Sequence, residues 1–339
     1  MAKRKAAEAL DVDNFVFASP SDTLITLTNP NAPFAVRDSE GSEGSRDPFK
    51  TPHQALTFQV SSQHLINASP FFKAALTGGW AESSTVNGSG HREIAAQDWD
   101  VKAFRIVMDI VHGRTKLLPR AVSVELLCKI AVVVDYYQLR DAAHFFLRSW
   151  AGLLDYYKDV ATSRNGVRRN LVMWIFIAHM VENRQLFKQV TRSAGELSEG
   201  RLLSLGLPIP EWIIDGIEEQ RERALYRVAE ELGYIKQDLM DGHYTCDSHC
   251  RTMTVGLLAQ HLYAHSLEPD VSLGAPYHGH SPDSVMSSAL ALEQSGSCYL
   301  GAGRPGSCEV SLFRILCDGL APCLPEIQGL ELSQPLDCE

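Results

Sequence analysis

The sequence lacks any apolar run long enough to cross a bilayer. Its longest such runs cover residues 130–134 and 171–178, far short of the ~20 residues that a membrane helix needs. A secretory leader is also missing, because no apolar segment follows the basic residues Lys3, Arg4 and Lys5. We therefore expect an intracellular protein, nuclear or cytoplasmic, with no membrane partner and with free thiols in place of disulfides.

Positive charge is scarce as well. The 339 residues carry a net charge of −10 at pH 7, which argues against nucleic acid as a partner, because neutralising phosphates needs a basic face. Catalytic signatures are missing too: no G-x-S-x-G elbow or phosphate-binding loop occurs, and no dinucleotide fingerprint follows a strand. The glycines Gly301 and Gly303 lie in the tail without a βαβ unit, so we interpret them as chance. His261 and His265 have metalloprotease spacing, but Leu262 replaces the Glu that H-E-x-x-H requires as general base. We therefore expect a protein that is not an enzyme.

The first half of the chain has the pattern of an α+β domain. Residues 1–19 are predicted to be a flexible lead-in, and residues 20–157 to be the domain. Within it, the Ser-, Pro- and Gly-containing stretch 29–54 is predicted to be a mobile loop. Helical spacing follows the strands and continues to Leu154, so we expect a small sheet with a helical cluster. Short alternating segments predict three strands, at residues 24–27, 56–60 and 93–96.

The second half is predicted to be helical over residues 158–268 and poorly ordered over 269–339, where Ser, Gly, Pro and Cys are frequent. One apolar segment in that tail, residues 312–320, is suited to docking. A long amphipathic helix is predicted over residues 211–239. Its stripe either packs within its own domain or forms a coiled coil; Arg221 breaks the seven-residue spacing and favours the former.

The segment that begins at Phe58 and ends at Leu76 has a distinctive pattern. Ser69 is placed to cap a helix, and Pro70 suits its first turn. Phe72 and Leu76 stand four residues apart, on one face of that helix. A strand, a short helix and then a Ser-Pro-x-Phe helix in this order resemble the centre of the BTB/POZ fold.

The resemblance to BTB/POZ proteins covers roughly residues 22–155. Likeness to the uncharacterised fungal type of these proteins extends to about residue 268. It implies a non-catalytic interaction adaptor or scaffold that forms a homodimer and recruits other proteins. A further alternative is a substrate adaptor of a cullin-type ubiquitin ligase, since such adaptors carry a hydrophobic-x-Glu element on a helix that would bind the partner. The nearest match here is Val107 and Asp109, with Asp in place of Glu.

A cluster of cysteine and histidine provides the one candidate metal site. Cys246, Cys250, His261 and His265 approach the spacing of a two-Cys, two-His zinc site. The gap between the pairs is shorter than usual, and the simpler interpretation is a helix with two surface histidines and two half-buried thiols. The alternative function that a zinc site would indicate is a zinc-stabilised nuclear regulator. No other cofactor is expected.

Overall fold

The computed structural model is mixed α/β and mostly helical, with a four-stranded sheet and eleven α-helices in the part of the chain that it describes. The chain divides into two compact units. The first comprises Met1–Asn183 with Ser204–Pro208, and the second comprises Arg184–Leu203 with Ile209–Glu339. The structure describes residues 14–36, 55–78, 90–156, 167–268, 275, 277–289, 291 and 311–332.

The sheet of the first unit has the strand order β1-β3-β2-β4. Its strands are β1 (Asn14–Val16), β2 (Thr23–Thr28), β3 (Leu56–Val60) and β4 (Arg92–Gln97). β1 lies parallel to β3, β3 antiparallel to β2, and β2 parallel to β4. Three strands were predicted; β1 is a fourth, in the stretch predicted to be flexible. It pairs because the ring of Phe15 packs 4.9 Å from the ring of Phe58 in the core.

Six α-helices and a short 3-10 helix (Thr115–Leu117) complete the described part of the first unit. Side-chain caps explain where several of them begin. The carboxylate of Asp100 accepts from the Ala103 amide at 3.0 Å, and the Ser123 hydroxyl accepts from the Leu126 amide at 3.2 Å. The helices are α1 (Ser62–Ala68), α2 (Pro70–Thr77), α3 (Val101–Val111), α4 (Val124–Tyr136), α5 (Arg140–Ala151) and α6 (Val167–Met180).

The start of α2 is fixed to the end of α4. Ser69 Oγ accepts a hydrogen bond from the Phe72 amide at 3.0 Å and donates one to the Tyr137 carbonyl at 2.6 Å. Pro70 is the first residue of the helix, and Phe72 and Leu76 are both buried. The rings of Phe72 and Tyr137 stack at 4.8 Å. Residues 69–76 therefore fasten α2 to the end of α4.

Helix α6 belongs to the first unit, which consequently extends to Asn183 and past the predicted limit at residue 157. Residues 171–178 are buried without exception, as in a helix surrounded by its own domain. A single helix was predicted across residues 170–192. The structure has two, because Glu182 adopts a left-handed conformation (φ 52°) that turns the chain.

Arg169 of α6 holds the residues that follow β2. Its Nε and Nη2 donate to the carbonyl oxygens of Ala35 and Phe34, each at 3.1 Å. Its Nη1 donates to Glu125 Oε2 of α4 at 3.2 Å. The predicted mobile loop, residues 29–54, therefore begins with a fixed segment; its later part, from residue 37, lies outside the described residues.

The second unit is built on one long helix, α8 (Glu211–Asp241). The stripe that the sequence predicted on it is buried within the unit, so the packed-helix interpretation is right and the coiled-coil seam is not available. The stripe consists of Ile214, Ile217, Leu225, Val228, Leu232, Ile235 and Leu239. The unit contains α7 (Arg184–Leu197), α8 (Glu211–Asp241), α9 (Ser248–Ala264), α10 (Pro282–Ala289), α11 (Leu312–Leu320) and a 3-10 helix (Ala321–Glu326).

Part of the predicted low-order tail is helical and packed. α11 has the bounds predicted for the docking segment. Leu312, Leu316 and Leu320 join the same buried cluster as the part of the α8 stripe from Leu225 to Leu239. Ser311 caps it by accepting from the Arg314 amide at 3.3 Å. The composition predicted disorder because Ser, Gly and Pro are frequent around α11, although its leucines recur every four residues. Among the described helices, none is long and apolar enough to span a bilayer.

Candidate interaction surface

The four residues of the predicted zinc site do not come together. Cys250 lies in the first turn of α9 and His261 in its last, eleven residues apart, which is ~16 Å along a helix. Zinc holds each ligand at about 2.0–2.3 Å, so one ion cannot reach both ends. Cys246 is exposed and lies before the start of the helix, and His265 lies just after its end. Within the described residues no three potential ligands are grouped around a metal position.

The segment around these residues serves to begin and to anchor α9. The Asp247 carboxylate accepts from the Cys250 amide at 2.7 Å and so caps the helix. His261 Nε2 lies 2.9 Å from the Ser288 carbonyl oxygen of the neighbouring chain segment, where it must donate its proton. Burial, and then the nearby ring of His265, lower the pKa of His261. These are structural roles, and Nε2 has no lone pair left for a metal.

The predicted partner-binding pair on α3 is not at the surface. Val107 is 1% exposed and Asp109 is 6% exposed. Asp109 Oδ1 lies 3.3 Å from Arg114 Nε. Burial raises the pKa of Asp109, and the charges of Arg114 and Arg105 only partly oppose this shift. Neither Val107 nor Asp109 can therefore offer its side chain to a partner in this fold.

The most exposed large apolar side chain in the described part of the first unit lies on α5. Phe145 is 73% exposed, and its ring meets that of Phe146 edge-to-face at 5.5 Å. Phe146 in turn packs 6.0 Å from the buried ring of Trp150, whose Nε1 donates to the Pro119 carbonyl at 2.9 Å. We call Phe145 and Phe146 the α5 aromatic face. Trp150 anchors Phe146 to the core, and Phe145 projects into solvent.

A helical projection of the sequence could have identified this face. Ala143, Leu147 and Trp150 form the buried stripe of α5, and Phe145 falls on the opposite side of that stripe at 100° per residue. The surrounding exposed side chains are polar. They are Asp141, Arg148 and Ser149. An apolar centre with a polar rim is typical of protein–protein contact surfaces.

A second exposed aromatic ring lies at the end of α4. Tyr136 is 56% exposed, while its neighbour Tyr137 is 2% exposed. Tyr136 contacts the rings of Trp99 at 5.2 Å and Phe71 at 5.7 Å. Burial raises the pKa of Tyr137 to about 12, although its hydroxyl accepts a hydrogen bond from Trp99 Nε1. The dense aromatic residues of this region thus divide into core rings and surface rings.

Neither a protein-family model nor a curated protein sequence matches this chain. The resemblance of residues 22–155 to the BTB/POZ fold therefore stays a prediction. What the structure describes is the mixed architecture, the two units and the exposed face on α5.

Proposed function

We propose that this chain is a non-catalytic interaction adaptor whose first unit, of BTB/POZ type, self-associates and recruits other proteins. The observation that supports this most is the exposure of Phe145 on a helix whose opposite side is buried. A partner surface that covers this large apolar side chain and meets the polar side chains around it would have the usual composition of a protein–protein contact.

The gain from covering Phe145 is substantial. Full burial of a Phe side chain is worth about 1.5–3 kcal/mol, and 73% of its surface is free. One copy therefore contributes roughly 1–2 kcal/mol on burial. A two-fold symmetric dimer uses the same patch twice, which changes its dissociation constant on the order of a hundredfold.

Light scattering after gel filtration tests the self-association. The wild-type chain at micromolar concentration should have twice the chain mass of 37.5 kDa. Phe145→Asp should shift it to the single-chain mass, because a carboxylate cannot be buried unpaired at the contact. Tyr263→Asp is the matched control, because Tyr263 is 74% exposed and lies in the second unit. A wild-type monomer, or equal effects of both substitutions, would refute the proposal.

Partner recruitment is tested by affinity capture with mass spectrometry. The full chain and its Phe145→Asp variant serve as paired baits, with Tyr263→Asp again as the control. Proteins retained by the wild type and the control but lost from Phe145→Asp are the partners of the α5 aromatic face. A cullin in that set would identify a ligase adaptor. An identical set for all three baits would contradict a role of this face in recruitment.

A further inference from the structure

Two helices of the second unit form a groove that contains an extended piece of the same chain. Residues 327–331, here called the tail peptide, lie along α7 and α8. Ile327 is 1% exposed and faces Gly195 of α7, where a Cβ would come within 3.0 Å of its Cγ2. Leu330 faces Gly216 of α8, where a Cβ would come within 2.9 Å of its Cδ2. The two glycines thus form two side-chain pockets.

The glycines that form these pockets destabilise the helices in which they lie. Glycine in a helix interior is less stable than alanine by about 1 kcal/mol. Gly195 and Gly216 both lie inside helices, in α7 and α8. The lost stability is offset by the room that each gives to an aliphatic side chain of the tail peptide. Small residues at both positions indicate a groove shaped for its occupant.

The groove also binds the main chain of the tail peptide. The side-chain amide of Gln220 pairs with both polar groups of Gly329: its Oε1 accepts from the amide at 3.1 Å, and its Nε2 donates to the carbonyl at 3.4 Å. The Leu330 amide donates to Thr191 Oγ1 at 2.8 Å. Hydrogen bonds to the backbone combined with pockets for side chains are how proteins bind extended peptides.

One position of the tail peptide accepts only glycine. Gly329 has φ +79°, and a Cβ there would lie 2.1 Å from the carbonyl oxygen of Lys188. Two residues beyond Gly329, the carboxylate of Glu331 pairs with the ammonium of Lys188. The groove therefore reads a sequence in the order aliphatic, any residue, glycine, aliphatic, acidic.

We infer that the α7–α8 groove is a peptide-binding site for an extended aliphatic-x-Gly-aliphatic-acidic segment of another protein. The tail peptide is its intramolecular ligand and competes with that segment. Because the tail peptide is covalently joined through the 3-10 helix to α11, its effective concentration is high, on the order of millimolar. A partner segment therefore binds measurably once the tail peptide is displaced. This site lies wholly in the second unit and does not depend on the α5 aromatic face.

The test uses full-length chains and a dye-labelled peptide with the sequence of residues 324–332, measured by fluorescence anisotropy. Gly329→Val should expel the tail peptide, because its side chain would clash with the Lys188 carbonyl. Gly279→Val is the matched control: Gly279 has a similar φ of +80° but no atom within 4 Å of its Cβ position. Circular dichroism of each variant reports whether its helices are retained.

Gly329→Val should bind the peptide at least tenfold more tightly than the wild type does, and Gly279→Val should bind like the wild type. Adding Gly216→Leu to Gly329→Val should abolish binding, because the pocket for Leu330 is filled. Three results would overturn the inference. They are a folded Gly329→Val with no gain in binding, an equal gain in Gly279→Val, and a loss of helix content in Gly329→Val, which would make the tail peptide part of the core.

Discussion

Arg221 is the charged residue whose removal should cost this protein most. Its side chain is completely buried on α8. Nε and Nη2 donate to the two carboxylate oxygens of Glu218 at 3.1 and 2.7 Å. Nη1 donates to the carbonyl oxygens of Tyr277 and His280 at 3.3 and 3.0 Å. One guanidinium thus neutralises a carboxylate that is only 15% exposed and fastens residues 277–280 to the long helix.

The expected size of the effect follows from what the substitution leaves behind. Arg221→Met would leave the Glu218 carboxylate unpaired and the His280 carbonyl unsatisfied, which costs about 3–5 kcal/mol. The Tyr277 carbonyl keeps a hydrogen bond from the His280 amide at 3.2 Å. Arg223→Met is the control. Arg223 pairs with Glu219 at 2.6 Å on the same helix, but its side chain is 52% exposed, so its loss costs about 0–1 kcal/mol. Burial, and not the presence of an ion pair, decides the difference between the two.

Urea unfolding followed by circular dichroism measures the free energy of unfolding of both variants. Hydrogen exchange of the α8 amides shows whether the loss of stability occurs in the second unit. Replacing both partners, Arg221→Met with Glu218→Leu, should recover a large part of the loss, because no buried charge remains. Equal free energies of unfolding for Arg221→Met and Arg223→Met would refute the reasoning. So would a double variant no more stable than Arg221→Met.

Three further predictions concern the pH response, the cap of α2 and the metal content. Burial lowers the pKa of His112, which lies beside His64 and Arg114. Above the ordinary pKa of about 6.5, His112 is neutral in both the folded and the unfolded protein. Below that pH the unfolded protein binds the proton more readily, so the free energy of unfolding should fall, and it should fall less steeply in His112→Gln. Urea titrations at several pH values measure this dependence. Ser69→Ala should cost about 1–2 kcal/mol in the same assay, since cap and Tyr137 bond are both lost, whereas Thr77→Ala at the exposed end of α2 should cost a few tenths; equal costs would contradict this. Elemental analysis after purification without chelator should find zinc well below one per chain, and stoichiometric zinc would contradict the geometry of Cys250 and His261.

Local rules predicted much of the fold. The segment that starts α2 contains the N-cap, the proline of the first turn and the buried apolar face within eight residues. These features can be predicted without knowledge of distant residues. The stripe of α8 repeats often enough to identify a packed helix. Strand β1 is different, because its three residues form a strand only where β3 supplies the hydrogen-bond partners. Such pairing is not encoded within residues 14–16.

The candidate sites depended on tertiary placement, and there the sequence was less informative. Spacing suggested a metal cluster at Cys246–Cys250 and His261–His265, but Cys250 and His261 lie at opposite ends of one helix. Spacing on α3 could not show that Asp109 points inward. The tail peptide was missed because its recognition comes from Gly195 and Gly216, which are more than a hundred residues earlier in the chain. A glycine in a predicted helix is the one sequence signal that could have drawn attention to it.

The central claim is that the chain binds a second copy of itself through the α5 aromatic face, and hydroxyl-radical footprinting tests it at the side chain concerned. Phe145 and Tyr263 have nearly equal exposure, 73% and 74%, so each is an internal reference for the other. The account predicts that oxidation of Phe145 slows as the protein concentration rises through the micromolar range, while oxidation of Tyr263 does not change. Constant oxidation of Phe145, or parallel protection of both rings, would contradict it.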